Sequence, residues 1–183
     1  MDIQSLLGSM TGYDSVRGIS KAAGVSADST KSVLSAALPS LLSGAMAQAQ
    51  NSDTAAGFAN ALSQHAASDT SSISSFLEGV DLGDGAKIIS HLLGGQTGSV
   101  GQIAQQAGVS EADASNILSA AGPLLMSLLG QQTSGAQNSG AGIGDVMGSL
   151  LGGVDLGGLL GGLLGGSSSG GLGSLLGGLF GKK

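Results

Sequence analysis

Apolar residues recur along this chain at intervals of three and four, the period of a helix, and no stretch reads as a strand. Ile3, Leu6, Leu7 and Met10 share one face of a helix predicted over residues 2–11. Val100, Ile103, Ala104 and Ala107 form a second such face; Ala114, Ile117, Leu118 and Ala121 form a third. Between those two lie Gly108, suited to the left-handed conformation that ends a helix, and Ser110, a natural N-cap. Glu111 and Asp113 add negative charge in the first turn, where the helix dipole favours it. Pro123 has no N–H for the helical ladder, so a further helix is predicted to start there with Leu124, Leu125, Leu128 and Leu129.

The same pattern occurs 84 residues earlier, without a gap. Ser15-Val16 matches Ser99-Val100, Ala23-Gly-Val-Ser26 matches Ala107-Gly-Val-Ser110, and Leu34-Ser-Ala-Ala37 matches Leu118-Ser-Ala-Ala121. Pro39 and Pro123 close the two copies, which span residues 15–43 and 99–127. A repeat this regular marks a duplicated helical unit of three helices.

Between the copies, a helix from Pro39 carries Leu41, Leu42, Ala45 and Met46 and ends near Asn51. Ser52-Asp53 is the expected cap of a helix bearing Ala56, Phe58, Ala59 and Leu62. A Ser/Thr-rich connection over residues 68–75 leads to a short turn or helix with Ile73, Phe76 and Leu77. Asp84 reads as the next N-cap and Gly94-Gly95 as the stop, with Ile88, Ile89, Leu92 and Leu93 buried. The fold class is all-α: two related helix-turn-helix-like three-helix units in a domain over residues 1–131. A flexible linker is expected at 132–142, and residues 143–183 form a Gly/Leu-rich low-complexity tail.

Composition sharpens this picture. Aromatics make up 2% of the 183 residues, so the core must be built from Leu, Ile, Val and Ala in many thin contacts. The tail sets Leu156, Leu159, Leu160, Leu163 and Leu164 on one helical face and glycines on the other; Leu172, Leu175, Leu176 and Leu179 restart the pattern. Seven leucines between residues 150 and 164 favour membrane insertion by about 3 kcal/mol, and Asp155 opposes it by up to about 3 kcal/mol. A stable span is therefore disfavoured, and each glycine further weakens a free helix by about 1 kcal/mol against alanine. The leucine ridge suits docking on a partner, on another copy or on a membrane surface, where Lys182-Lys183 fits a peripheral contact.

The net charge of −6 argues against nucleic-acid or anionic-membrane partners. Cysteine is absent, which removes disulfides and thiol chemistry. The opening residues lack a basic segment and a long apolar run, so no secretory signal is read and the expected location is cytoplasmic.

Each candidate for chemistry has a structural alternative. The Ala104–Ser115 segment is similar to the lactose-repressor type of helix-turn-helix, whose second helix enters the major groove. Here Glu111 and Asp113 would face phosphates with no cation beside them. The first copy offers Arg17, Lys21 and Lys31, against Asp28, and six basic residues in the chain make a poor phosphate footprint. Asp81-x-x-Asp84-Gly85 lacks the alternating ligands and closing Glu of a calcium loop and reads as capping. His65 and His91 lie in separate helices without ligands at metal spacing, and His91 is expected at the edge of a core face. No nucleophile elbow or phosphate loop is present.

Asp84-Gly85-x-Lys87-Ile88-Ile89-x-His91-Leu92-Leu93-Gly94 resembles the YidB-like bacterial family, domain of unknown function 937. Ala107-Gly-Val-Ser110, Ala-Gly-Pro-Leu-Leu125 and Ala-Leu-Pro-Ser-Leu-Leu42 extend the resemblance over roughly residues 1–131. It implies a multihelical fold and carries no activity or ligand. The expectation is a non-enzymatic helical interaction or scaffold protein, self-associating or binding a protein partner. No catalytic, cofactor-binding or metal residues are assigned. The alternative is a DNA-associated regulator using the helix-turn-helix-like units. A deep pocket holding several of Asp81, Asp84 and His91 would instead favour an enzyme.

Overall fold

The computed structural model describes residues 3–94 and 97–137, with Gly144 and Gly148 beyond them. Among the described residues it is all-α, with eight helices and no strand. They are α1 (Ile3–Thr11), α2 (Tyr13–Ala23), α3 (Ala27–Gln50), α4 (Ala55–Ala66), α5 (Ile73–Glu78), α6 (Leu82–Leu92), α7 (Thr97–Ala107) and α8 (Glu111–Gln137).

The α2–α3 and α7–α8 turns carry the same punctuation. Gly24 and Gly108 sit at φ 69° and 68°, the left-handed region that side chains avoid. The next amide closes each helix in the same way: Val25 N donates to the Ser20 carbonyl and Val109 N to the Ala104 carbonyl, both at 3.0 Å. Ser26 then accepts from Ser29 N, and Ser110 from Asp113 N, both at 3.1 Å. These caps satisfy amides that a helix start leaves without intrahelical partners.

The helices that follow differ from expectation at the prolines. Pro39 lies inside α3 and Pro123 inside α8, so neither starts a new helix. An interior proline costs about 3 kcal/mol in an exposed helix. Here the neighbouring turns bury Leu38, Leu41 and Leu42 in α3 and Leu124 and Leu125 in α8, each worth about 1.5–3 kcal/mol. Burial outweighs the lost hydrogen bond. The carbonyl that Pro123 cannot serve belongs to Ser119, and the α6 backbone covers it. A Cβ on Gly85 would collide with that Ser119 oxygen, and one on Gly122 would lie 3.1 Å from the Gly85 carbonyl oxygen. Glycine at 85 is what lets α6 lie directly on α8.

α8 is the axis of the body. Every residue from 117 to 130 is buried, and α4 and α6 make its most extensive contacts, with α2, α7 and α3 completing the sheath. Ser127, fully buried, donates from its hydroxyl to the Pro123 carbonyl at 2.9 Å. α3 is long and apolar enough to cross a membrane by length and composition, yet half of its most apolar stretch is buried in the body, as in a core helix.

Other boundaries also shift. α6 is capped by Asp81 instead of Asp84, because Asp81 Oδ1 reaches both Gly83 N (2.7 Å) and Asp84 N (3.3 Å). Thr54, not Ser52 or Asp53, precedes α4, and Ala56 is exposed on it while Phe58 and Leu62 are buried. α8 continues to Gln137, so residues 132–137 are helical where a linker was expected. Buried Thr133 and half-buried Ser134 donate to the Gly130 carbonyl, and Gln131 Nε2 donates to Ser68 O at 3.1 Å, tying this turn to the body. The remainder of that linker and the leucine pattern of the tail lie outside the described residues.

Candidate functional site

The side chains best able to do chemistry gather where α4 and α6 run across α8. Their helices leave a groove of about 440 Å³. Its apolar wall is Phe58 and Ala61 from α4, Ile88 and Leu92 from α6, and Met126 from α8. Around it stand His65, Asp84, Lys87 and His91, with Asp53 and Gln48 at the α3–α4 end. Both histidines of the chain are therefore in one place, although 26 positions separate them.

Helical spacing explains the arrangement. Asp84, Lys87, Ile88 and His91 follow at three and four residues, so one face of α6 presents them together. Phe58, Ala61 and His65 do the same on α4. The close contact of Gly85 with α8 fixes the height of α6. At the other edge, a Cβ on Gly130 would collide with the Leu62 carbonyl oxygen, which sets α4 equally close. Gln48 Nε2 donates to the His91 carbonyl at 3.1 Å, and Thr54 Oγ1 donates to the Gln48 carbonyl at 2.9 Å, holding the α3–α4 corner to the end of α6.

The polar side chains around the groove make few contacts with one another. His65 Nε2 lies 3.7 Å from Asp84 Oδ2, beyond hydrogen-bond distance, and the two side chains are 22% and 48% exposed. His91 is exposed, and its Nδ1 is 2.9 Å from the Lys87 carbonyl oxygen of its own helix, so that nitrogen is engaged locally. Lys87 is exposed, with no ion-pair partner among the described residues. No group of three or more metal-binding side chains occurs among the described residues. Of the acidic positions singled out in the sequence, Asp84 lines the groove and Asp81 is used in capping. His65 was seen only as an isolated histidine; nothing local to it points across to α6.

A second, larger cleft of about 700 Å³ lies between α2, α5 and the start of α6. Gly18 meets Leu77 there, and Lys21 Nζ donates to Glu78 Oε1 at 2.8 Å across its mouth. That hydrogen bond, with the lysine charge behind it, holds the Glu78 carboxyl below its ordinary value. Arg17 and Asp14 also line the cleft, so its formal charges cancel.

In the helix-turn-helix-like segment of α8 the first turn exposes Glu111 and Ala112, and residues 117–130 are buried. In α3 the exposed positions near the start are Ala27, Asp28, Lys31 and Ser32.

A family model described as "Bacterial protein of unknown function (DUF937)" matches residues 5–132. The match spans α1 to most of α8, and so the whole groove. No curated protein and no solved structure matches the chain.

Proposed function

Starting from the fact that the chain belongs to the DUF937 family of bacterial proteins, whose function is unknown, we propose that it is a non-enzymatic helical interaction protein with the α4–α6 groove as its docking surface. The observation that carries this reading is the groove's make-up: an apolar floor of Phe58, Ile88 and Met126 inside a mixed polar rim. Protein interfaces pair a dry centre with a wet, charged edge in this way. The 3.7 Å separation of His65 and Asp84 and the local bond of His91 support docking over catalysis, since neither histidine is both oriented and free to move a proton.

Self-association or capture of a protein partner is the expected activity. Replacing Ala61 with Glu and Lys87 with Glu in the full chain places charge on the floor and inverts it on the rim. Light scattering and quantitative pull-down should then show association at least ten-fold weaker, with helical content unchanged. A wild-type protein that stays monomeric at all concentrations and binds no partner would contradict the reading. The DNA-associated alternative predicts an electrophoretic shift with mixed-sequence duplex at low salt, where even non-specific binding appears. Buried α8 and acidic Glu111 and Asp113 favour no shift.

A further inference from the structure

The cleft between α2, α5 and the start of α6 takes no part in the docking described above, yet at about 700 Å³ it is larger than the α4–α6 groove. Sites for small molecules commonly enclose roughly 300–1,000 Å³. Asp14, Arg17, Gly18 and Lys21 enter the cleft from one face of α2, at helical spacing. Glycine at 18 brings α5 in close, because a Cβ there would press on Leu77. Leu77, Val80 and Leu82 supply an apolar wall. Among the described residues, the large apolar side chains left exposed are Leu82, at 36%, and Tyr13, which directly precedes Asp14. Leu82 therefore offers open apolar surface inside the cleft.

The charges beside that wall divide into a closed pair and an open one. Lys21 and Glu78 satisfy each other at 2.8 Å. Asp14 and Arg17 are exposed, and neither has an ion-pair partner among the described residues. They stand one turn apart on the same helix face, where side chains start about 5–6 Å from each other. An anion bound at Arg17 would be repelled by Asp14, and a cation bound at Asp14 would be repelled by Arg17. A molecule carrying both signs meets neither penalty. Its carboxylate takes the planar fork of Arg17, and its ammonium takes the carboxylate of Asp14. An apolar side chain on that molecule has Leu77, Val80 and Leu82 to cover.

We propose that this cleft binds a free apolar amino acid or short apolar peptide in its zwitterionic form, with Arg17 on the carboxylate, Asp14 on the ammonium and Leu82 against the side chain. It is a second site, separate from the α4–α6 groove and independent of what docks there. The Lys21–Glu78 pair bridges the mouth and leaves the ligand's charges to Asp14 and Arg17.

Titration of the full chain with leucine and with leucyl-leucine, followed by amide NMR spectra, tests the proposal. At least one of the two should give saturable shifts at Gly18, Leu77 and Leu82, and the tighter binder sets the length of the ligand. Acetylating the amine of that binder, or amidating its carboxylate, should each weaken binding by about ten-fold or more. Asp14→Asn should weaken the unmodified ligand similarly and erase its advantage over the acetylated form. Arg17→Gln should do the same against the amidated form. Both positions are exposed, so helical content should not change. Lys87→Gln, in the other groove, should bind like wild type. Absence of saturable shifts with both ligands would overturn the proposal. Modified forms binding as tightly as the zwitterion, or shifts confined to Phe58, Ile88 and their neighbours in the α4–α6 groove, would overturn it too. Docking at that groove is read by association of the Ala61→Glu, Lys87→Glu protein, so the two results are distinguishable.

Discussion

α3 and α8 begin alike and end up in different surroundings. Each follows a left-handed glycine, starts from a serine cap and runs through a proline. Yet α8 is buried on every side from Ile117 to Gly130, whereas α3 keeps Lys31, Ser32, Ser35 and Ser43 in water. The repeated residues therefore specify local geometry, and packing decides what that geometry is used for. Position 119 is buried against Gly85 while its counterpart, Ser35, is exposed. Ser127 is sealed in the core while its counterpart, Ser43, is exposed.

The largest expected effect tests the closeness of the axis. Gly85→Val should cost on the order of 3 kcal/mol or more, because the added carbon meets a backbone oxygen that no rotamer change can move. Denaturant unfolding checks it; a wild-type midpoint would mean that α6 does not lie on α8 as described. Next comes the paired contrast. Ser127→Leu should destabilise by about 1–3 kcal/mol through overpacking, and Ser43→Leu by less than about 0.5 kcal/mol. Equal losses would erase the difference between the two helices.

The shared punctuation predicts the reverse, a matched pair. Gly24→Ala and Gly108→Ala should each cost about 1 kcal/mol, since both must hold a left-handed backbone with open space around it. Unequal costs would show that the turns are not equivalent. The smallest effect belongs to the exposed Lys21–Glu78 pair. Glu78 is held below its ordinary value when folded, so its contribution is present above the unfolded value and fades as pH falls through the folded one. Glu78→Gln should lower the thermal midpoint only slightly at neutral pH, and this small difference should vanish as pH falls through the folded value.

The turns were legible in the sequence because their causes are local: Gly24 and Gly108 stop a helix, and Ser26 and Ser110 start one. The prolines misled, because the penalty at Pro123 is offset by contacts made far along the chain, including Gly85 on the Ser119 carbonyl. Asp81 outranked Asp84 as a cap by reaching two amides, a choice that spacing alone leaves open. The groove was half legible. Asp84, Lys87 and His91 share a face by helical period, but His65 joins them only because Gly130 lets α4 settle beside the same stretch of α8. No pattern in the residues around His65 carries that information.

The claim on which the account turns is that α8 is the axis around which the other helices are laid. Hydrogen exchange along the full chain measures it directly. Amides of residues 117–130 should be the slowest in the protein, exchanging only with global unfolding, while the exposed first turns of α3 and the short α5 open sooner. If α8 exchanged as fast as α5, or earlier than α3, it would not be the axis, and the groove that α4 and α6 form across it would lose its foundation.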